Sequence, residues 1–328
     1  MSVLNRRDFM RSTAGVVAAS VAVPALAQAA SAAPAATMKV ALGNTGIEPS
    51  LLGMGTGVQG WNFDSALIRH GKRKFVENLM YAYERGIRYF DLADMYASHR
   101  YMSLAMAEAK MDRSELTLLS KTVSTTAKEV RDDVNRFIAD LDCEYMDIVL
   151  LHCMTKGDWT ETMAPCMDAL DKLKDEGKIR AVGVSCHNLD AMKNAVVHPW
   201  VDVMLSRINP YGIKMDGSVD EVQQVLQTAC DNGKGIIGMK IFGEGIVTKS
   251  KKEFNQAILQ SNAEKRTPRM DLITDEVRES ADARMKASIK FAMQLPCVQA
   301  FTIGLVRREE IDDTMAKIDE VAKSEGIA

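Results

Sequence analysis

The sequence predicts an α/β fold in which eight parallel strands alternate with eight helices as a (β/α)8 TIM barrel. Short apolar runs rich in strand-forming residues recur along residues 38–328, and segments with helical spacing of apolar residues separate them. Strands that alternate with helices imply parallel βαβ units, and eight such units fit a barrel of this length. A doubly wound open sheet is the alternative, but no predicted strand carries the G-x-G-x-x-G fingerprint expected for a dinucleotide in that fold.

The predicted elements follow one another in a regular order. Residues 38–47 come first and read as an N-terminal β-hairpin with a Gly/Asn turn at 43–46. Asn188 is the predicted N-cap of the fifth helix. The strands are predicted at 51–53, 87–90, 116–120, 147–151, 179–184, 201–208, 235–239 and 298–303. The helices are predicted at 72–85, 102–110, 127–141, 161–176, 189–196, 219–232, 275–294 and 308–323.

The first 29 residues do not belong to the predicted barrel. They contain the adjacent pair Arg6-Arg7, an uncharged run at 12–26 and a small-x-small cleavage site at 27–29, which together resemble a twin-arginine export signal. A membrane anchor is the alternative, but about 15 weakly apolar residues fall short of the ~20 that span a bilayer. We therefore expect a signal peptide at 1–29 and a disordered lead-in at 30–37. The mature protein would be periplasmic, exported by the twin-arginine machinery, with no stable membrane insertion after cleavage.

The composition is that of an ordinary globular protein, with 47% hydrophobic and 26% charged residues. Losing residues 1–29 removes three arginines and one aspartate, which takes the formal net charge from −3 to −5. A nucleic-acid-binding protein would want a basic patch, so no nucleic-acid partner is expected. The six cysteines include no C-x-x-C pair, which argues against a zinc or iron–sulfur site. No metal site is predicted.

Four polar residues follow three consecutive predicted strands. The second strand leads into Asp91 and Tyr96, the third ends in Lys121, and the fourth ends in His152. Neighbouring barrel strands lie about 4.8 Å apart, so side chains at their carboxyl ends can meet in one pocket. One such residue alone is more often structural. Four of them on adjacent strand ends indicate an active site.

These residue types suit proton transfer to a carbonyl oxygen. A phenol has an ordinary pKa of about 10 and needs help to act as an acid near neutral pH. Asp91 would hold Lys121 as an ammonium, and Lys121 would lower the pKa of Tyr96 by stabilising the phenolate. Tyr96 would then serve as general acid/base, and His152 would orient the carbonyl or assist the proton transfer.

The chain resembles the aldo-keto reductases over nearly all of residues 38–325. The resemblance rests on L-G-N-T-G-I in the hairpin, on the strand ends G-M-G-T-G and L-L-S-K, and on F-D-L-A-D-M-Y, I-V-L-L-H and I-R-A-V-G-V-S. It implies a nicotinamide-dependent carbonyl reductase or alcohol dehydrogenase. The implied catalytic tetrad is Asp91, Tyr96, Lys121 and His152.

The resemblance also implies a cofactor, NADP or NAD, that lies extended across the barrel mouth. The glycine-rich strand end Gly55-Thr56-Gly57 would approach it, with Thr56 and Asp91 near the nicotinamide ribose and ring. Ser185, at the end of the fifth strand, would contact the carboxamide.

Three positions depart from the family pattern around the nicotinamide. Cys186 stands where many members have Asn, and it is a weak hydrogen-bonding residue. Leu205 stands where Gln is common. Lys240 is the expected replacement for an aromatic residue that often stacks on the nicotinamide, and a solvated charge at the rim is the alternative.

The region after the eighth strand leaves NADP and NAD both open. Gly304 and Glu310 fall where a Lys and an Arg often stand, and an acid is unfavourable near a phosphate but can accept hydrogen bonds from a ribose diol. Arg307 and Arg308 could meet the adenosine 2′-phosphate or could begin the last helix as surface charge. The basic stretch 249–252, in a long loop after the seventh strand, would cover the pyrophosphate or be solvated.

Substrate identity is weakly constrained by the sequence. Trp61 and Phe242 are expected to line a substrate pocket with Tyr96 and His152, either as apolar walls or by stacking on sugar rings. The leading hypothesis is an oxidoreductase that moves hydride between a nicotinamide cofactor and an aldehyde, ketone, sugar or alcohol. The alternative is a barrel that keeps the tetrad but acts as a ligand-binding or accessory protein, because three usual nicotinamide contacts are altered.

Overall fold

Eight parallel strands close into a barrel in the computed structural model, which describes residues 34–327. Each strand pairs with the next one in the sequence, and the last pairs with the first. The predicted (β/α)8 barrel is therefore confirmed, and the doubly wound sheet is excluded. The strands are β1 (Leu52–Gly55), β2 (Tyr89–Asp91), β3 (Thr117–Thr122), β4 (Met146–Met154), β5 (Ile179–Cys186), β6 (Val203–Arg207), β7 (Gly235–Met239) and β8 (Ala300–Gly304).

The helices connect successive strands, and all eight predicted helical regions are present. No helix within residues 34–327 is long and apolar enough to cross a bilayer. The helices are α1 (Ala66–His70), α2 (Lys72–Glu84), α3 (His99–Ala109), α4 (Ala127–Leu141), α5 (Trp159–Thr162), α6 (Ala164–Asp175), α7 (Leu189–Val197), α8 (Val219–Asp231), α9 (Lys251–Ala263), α10 (Asp275–Glu279), α11 (Ala281–Gln294) and α12 (Arg308–Ser324).

Side-chain caps and a buried apolar stripe explain where several of these helices form. In α4 the Thr126 side chain accepts from the backbone N–H of Glu129, and the apolar face that follows is buried. The predicted cap of α7 is confirmed, since the Asn188 side chain accepts from the N–H groups of Asp190 and Ala191 at 2.8 and 3.2 Å. The buried stripe of α4 consists of Val130, Val134, Phe137 and Leu141.

Two predicted helices are each divided in two. The region predicted as 161–176 is broken between α5 and α6, and Pro165 lies in the first turn of α6, where a missing N–H costs nothing. The region predicted as 275–294 is broken at Ser280, whose backbone is extended and whose side chain caps α11 by accepting from the Ala283 N–H.

The N-terminal hairpin is present as two short antiparallel arms beneath the barrel. Lys39 and Ser50 form an antiparallel bridge, which is the single bridge between the arms. In the turn, the Asn44 N–H donates to the Gly233 carbonyl just before β7. The hairpin therefore closes the end of the barrel opposite the carboxyl ends of the strands.

The end of the predicted lead-in is folded. Ala35–Thr37 form a 3-10 turn in which Ala36 is fully buried, and the Ala35 N–H donates to the Asp319 carboxylate of α12 at 2.7 Å. The prediction of disorder is wrong for these three residues, because two small apolar side chains find a packing site on α12. The predicted signal peptide and the start of the lead-in lie outside the described residues.

A long excursion after β7 carries a helix that the sequence reading missed. The stretch predicted as a basic loop at 249–252 contains the start of α9, whose N-cap Ser250 and third residue Glu253 form a reciprocal capping box. Lys251 pairs with Glu279 of α10, so this lysine is engaged within the excursion itself. The Ser-x-x-Glu pattern at 250–253 is the sequence feature that indicates the start of this helix.

This excursion has a small hydrophobic cluster of its own, separate from the main core. Arg284 of α11 is 1% exposed and ties the excursion down, because its guanidinium donates to the carbonyls of Val247 and Arg278 at 2.8 and 3.0 Å and also to that of Lys249. The cluster comprises Tyr211, Ile213, Val247, Phe254, Ile258, Ile273, Val277 and Met285.

Candidate active site

The carboxyl ends of the strands open into a cavity of about 760 Å³. Residues from the ends of β1, β6, β7 and β8 line it, together with loop residues. All four residues of the predicted tetrad also line it: Asp91, Tyr96, Lys121 and His152. The structure thus brings together the residues that the strand-end pattern selected.

A buried ion pair joins the ends of β2 and β3. Asp91 is the last residue of β2 and is paired in register with Leu119 of β3, so Lys121 extends to the same rim. The Lys121 ammonium forms an ion pair with the Asp91 carboxylate and donates to the Leu92 carbonyl at 2.8 Å. The two side chains are only 1% and 9% exposed. Because an uncompensated buried charge costs several kcal/mol, about 3–5 when one partner is removed, each fixes the other.

Tyr96 is carried by a short 3-10 turn, Asp94–Tyr96, that follows β2. Arg136 of α4 donates to the Asp94 carboxylate at 2.7 Å and so holds the turn against the barrel. Two glycines leave room for the ring. A Cβ at Gly57 would lie 2.3 Å from the Tyr96 ring, and one at Gly60 would lie 2.7 Å from it, so no larger residue fits at either position without displacing the ring.

His152 precedes an irregularity in β4. The register with β5 shifts between Leu151 and Met154, and Cys153 has a positive φ of 63°. The Cys153 N–H, displaced from the regular ladder, donates to the Ser185 hydroxyl oxygen at 2.9 Å. Bulges of this kind re-aim side chains near active sites. Here the bulge is closed by Ser185 directly beside His152.

The phenol and imidazole of the site are both neutral. The Tyr96 hydroxyl lies 3.4 Å from His152 Nε2, a long hydrogen-bond distance. Burial, together with the charge of Lys121, lowers the pKa of His152 to about 2, so the ring is uncharged at neutral pH. The other ring nitrogen, Nδ1, has no partner within the described residues.

The sequence predicts that Lys121 lowers the pKa of Tyr96, but the net shift in this arrangement is upward. Burial raises the pKa of Tyr96 well above 10, and the negative charge of Asp91 adds to that shift. The Lys121 ammonium is held by Asp91 and lies 5.1 Å from the centre of the Tyr96 ring. It therefore faces the ring, with its charge offset by Asp91. Tyr96 is kept as the protonated phenol, which is the form that can donate a proton.

Four of the predicted cofactor residues, besides Asp91, lie at the cavity: Gly55, Gly57, Lys240 and Arg307. Lys240 lies at the cavity with a positive φ of 57° and forms an ion pair with Glu244. Arg307 is the N-cap residue of α12 and pairs with Glu310 at 2.7 Å. Both predicted cations therefore already form an ion pair with a carboxylate of the protein.

The other predicted cofactor residues do not line the cavity. Thr56 is buried and its hydroxyl donates to the Asp91 carbonyl at 2.8 Å, while Ser185 closes the β4 bulge. Cys186 is fully buried in the core and burial raises the pKa of its thiol, because side chains alternate along β5 and this one points away from the mouth. Arg308 extends outward, with its guanidinium 5.2 Å from the centre of the Tyr81 ring. The predictions of cofactor contact by Cys186 and Arg308 are not supported.

Both predicted substrate aromatics line the cavity. Trp61 is half exposed, and its ring centre lies 6.4 Å from that of His152. Phe242 lies on the far wall, in the excursion after β7. The Trp61 loop is connected to the Tyr96 turn by a hydrogen bond from the Phe63 N–H to the Met95 carbonyl at 2.9 Å. The same turn therefore positions Tyr96 and this aromatic wall.

Sequence reasoning missed two polar residues of the cavity. His187 follows β5 directly, and burial lowers its pKa to about 3, with Arg207 the second cause. Thr302 of β8 faces the cavity with a buried hydroxyl that has no partner among the described residues. His187 fits the strand-end pattern that found His152, whereas Thr302 lies within β8 and has no such signal in the sequence.

The cavity suits an extended nicotinamide dinucleotide. It runs from His187, after β5, to Arg307 and Glu310 beyond β8, which lies three strands further around the ring, and Trp61 on the loop after β1 also lines it. The orphaned Thr302 hydroxyl offers a ligand one hydrogen bond on that path. Within residues 34–327 no group of three or more His, Cys, Asp or Glu side chains could hold a metal ion.

Comparison with known proteins identifies the chain. The sequence profile of the Aldo/keto reductase family matches residues 52–328. L-galactose dehydrogenase of Arabidopsis thaliana is 26% identical over 220 residues, which cover 63% of this chain and 66% of that protein. Glyoxal reductase of Bacillus subtilis is 30% identical over 136 residues, which cover 38% and 46% respectively. The chain thus spans less than two thirds of the length of these curated relatives.

The fold is shared with solved structures. An aldo-keto reductase from Bacillus halodurans, in its holo form, superposes with a TM-score of 0.65 at 17% identity, and the match covers 89% of this chain and 96% of that one. At this identity the likeness concerns the fold alone, and it agrees with the closed eight-stranded barrel described above.

Acid should destabilise the protein through a buried histidine behind the site. The His99 ring stacks on Phe137, 4.4 Å between centres, and its Nε2 lies 2.7 Å from the Ser120 hydroxyl. Burial lowers the pKa of His99 to about 3. Below the ordinary value of about 6.5 the unfolded imidazole binds a proton that the folded one does not. This contribution is complete above pH 6.5 and is lost progressively as the pH falls towards 3.

We therefore expect His99→Gln to reduce the pH dependence of the free energy of unfolding between pH 6.5 and 4. The contribution of one such group approaches ~1.4 kcal/mol per pH unit. Chemical denaturation at several pH values measures it. His70→Gln, at an exposed position, is the control and should keep the wild-type slope. A wild-type slope in His99→Gln would contradict the prediction.

Proposed function

The chain belongs to the aldo/keto reductase family, and from this premise we propose that it is a nicotinamide-dependent oxidoreductase acting on a small carbonyl compound or its alcohol. The observation that carries the proposal is the meeting of Asp91, Tyr96, Lys121 and His152 in one cavity at the barrel mouth. A pure binding protein has no need for a buried cation beside a protonated phenol. Saturable binding of NADH or NADPH, followed by fluorescence, tests the proposal, and absence of binding to either would reject it.

The roles of the four residues follow from their geometry. Bound nicotinamide would supply or accept the hydride. Tyr96, held as a phenol 3.4 Å from His152 Nε2, donates its proton to the substrate oxygen in reduction and takes it back in oxidation. His152 is neutral and hydrogen-bonds the same oxygen, which orients the carbonyl. Lys121 limits the cost of charge on Tyr96, and Asp91 keeps Lys121 in position.

The substrate we propose is a small carbonyl compound or a sugar. Two relatives are named for L-galactose and glyoxal, a sugar and a small dicarbonyl. Trp61 and Phe242 offer flat apolar faces on two walls of the cavity, which suit either an alkyl group or the face of a sugar ring.

Tyr96→Phe tests the catalytic assignment. The substitution removes the donated proton and keeps the ring that Gly57 and Gly60 accommodate, so we expect carbonyl reduction to fall by about 10²-fold or more with nucleotide binding retained. Steady-state rates and fluorescence titration measure the two quantities. Tyr101→Phe is the matched control, since Tyr101 stacks on Phe75 and does not line the cavity. Retained function in Tyr96→Phe would instead favour the accessory-protein alternative.

We further propose that the cofactor is NADH in preference to NADPH. The Glu310 carboxylate accepts from the Val306 and Arg307 N–H groups at 2.7 and 3.2 Å and pairs with the Arg307 guanidinium. In the family the adenosine end of the cofactor lies in this region. A carboxylate that already occupies the amides and the arginine repels a 2′-phosphate, whereas it can accept hydrogen bonds from a ribose diol.

Glu310→Gln should therefore reduce the difference in affinity between NADH and NADPH. Removing the charge lessens the repulsion and frees Arg307, so we expect the Kd for NADPH to fall several-fold relative to that for NADH. Fluorescence titration with both cofactors measures the ratio. Glu309→Gln, on the exposed side of the same turn, is the control. Tighter binding of NADPH than of NADH by the unaltered protein would overturn the preference.

Export by the twin-arginine route to the periplasm is also a proposal, supported by the pattern at residues 1–29. Replacing Arg6 and Arg7 together by Lys should leave the precursor in the cytoplasm, which fractionation and N-terminal sequencing would measure. Arg11→Lys is the control. Unchanged export of the double variant would contradict the route.

Because this route carries folded proteins, the cofactor can travel within the barrel. Denatured exported protein that releases no nicotinamide nucleotide would contradict this second proposal.

A further inference from the structure

A second cavity, of about 380 Å³, adjoins the catalytic one. It lies beside the carboxyl ends of β5 and β6, and we refer to it as the annex. Of the described residues, only His187 lines both cavities. The His187 and His152 ring centres are 6.4 Å apart and nearly perpendicular. A ligand held at His152 therefore needs to extend past a single imidazole to reach the annex.

Arg207 is the principal cation of the annex. It is the last residue of β6, and its side chain is 18% exposed. Its guanidinium contacts His187 Nδ1, donates to the Lys214 carbonyl at 3.2 Å and pairs with Asp216 at 3.2 Å. Its Nε–H is buried and has no partner among the described residues. The guanidinium is thus fixed in place with donor capacity left over.

A second arginine lies beside it. Arg266 is also 18% exposed, and its own Nε–H is buried without a partner within the described chain. Burial lowers the pKa of Arg266, and the charge of Arg207 lowers it further, which indicates that the two cations lie close to each other. Glu264 pairs with Arg266 from the solvent side.

The buried carboxylate of the annex does not balance both cations. Asp216 is 2% exposed, one of its oxygens has no partner among the described residues, and burial raises its pKa to about 6. Two largely buried guanidiniums therefore lie beside one largely buried carboxylate, Asp216, while Glu264 pairs with Arg266 at the solvent edge. Guanidinium groups in such a place bind carboxylates well, because charge-assisted hydrogen bonds compensate for the lost hydration.

We propose that the annex binds the carboxylate of an acidic substrate whose carbonyl lies between Tyr96 and His152. The substrate class is a sugar acid or comparable hydroxy acid that carries a carbonyl at one end and a carboxylate at the other. Arg207 and Arg266 contact the carboxylate, and His187 lies alongside the connecting carbons. This inference rests on the proposed function for the carbonyl end and on the annex geometry for the acidic end.

A binding experiment tests the annex without requiring catalysis. Gluconate carries the carboxylate but no carbonyl, and sorbitol is its neutral counterpart. Calorimetric titration of the protein should show gluconate binding that is at least about tenfold tighter than that of sorbitol, as expected for charge-assisted hydrogen bonds. Equal binding of the two, or binding of neither, would overturn the proposal.

Substitutions of the two annex arginines test whether gluconate binds there. Arg207→Gln and Arg266→Gln should each weaken gluconate binding about tenfold or more, and Arg207→Lys should restore part of the loss. Arg266→Gln leaves the Arg207–Asp216 pair intact, so it remains informative if Arg207→Gln fails to fold. Arg73→Gln, which removes an exposed arginine paired with Glu77 and Glu108, is the matched control. Unchanged gluconate binding in Arg266→Gln would overturn the proposal.

Kinetics separate this inference from the proposed function. With glucuronate and glucose as a pair that differs in the carboxylate, Arg266→Gln should lower the ratio of their kcat/KM values about tenfold. A merely structural role would lower both values together and overturn the proposal. Gluconate binding with no reduction of any carbonyl would leave the annex standing and reject the reductase function. Reduction of neutral carbonyls without gluconate binding would support the reductase function and reject the annex proposal.

Discussion

The buried ion pair between Lys121 and Asp91 is the interaction on which the active site depends. Neither charge can be left alone, because both side chains are largely buried, so the ends of β2 and β3 are held in one register. The backbone then fixes the rest. Thr56 donates to the Asp91 carbonyl, Leu92 receives the ammonium, and the turn that carries Tyr96 begins two residues later. The ion pair thus also determines where the Tyr96 turn lies.

The barrel and the tetrad could be predicted because both follow from simple periodic rules. Buried parallel strands are apolar throughout and stop abruptly, so their carboxyl ends are visible in the sequence as the first polar residues. That rule selected Asp91, Lys121 and His152 correctly as neighbours. Applied to β5 it would also have drawn attention to His187, directly after the strand, whereas Thr302 lies within β8 and is not marked by this rule. It succeeds wherever the position of a side chain depends only on strand register.

The other features of the site could not be predicted, because they depend on individual contacts that leave no periodic pattern in the sequence. The bulge at Cys153 turns Ser185 from an expected ligand contact into a support for His152. The alternation along β5 buries Cys186, although the next residue, His187, lines the cavity. The direction of the Lys121 ammonium, on which the acidity of Tyr96 depends, is set by hydrogen bonds to Asp91 and Leu92.

The separate hydrophobic cluster under the excursion after β7 gives the two walls of the cavity different rigidity. Asp91, Lys121 and His152 of the tetrad lie on strands of the barrel, whereas Gly245 and Thr248 lie on a segment secured by its own small cluster and by Arg284. Phe242 packs against both clusters. Such a unit can open at a fraction of the free energy needed to unfold the barrel. We therefore expect this segment to open more readily than the strands that carry the tetrad, so that ligands can exchange without disturbing the catalytic geometry.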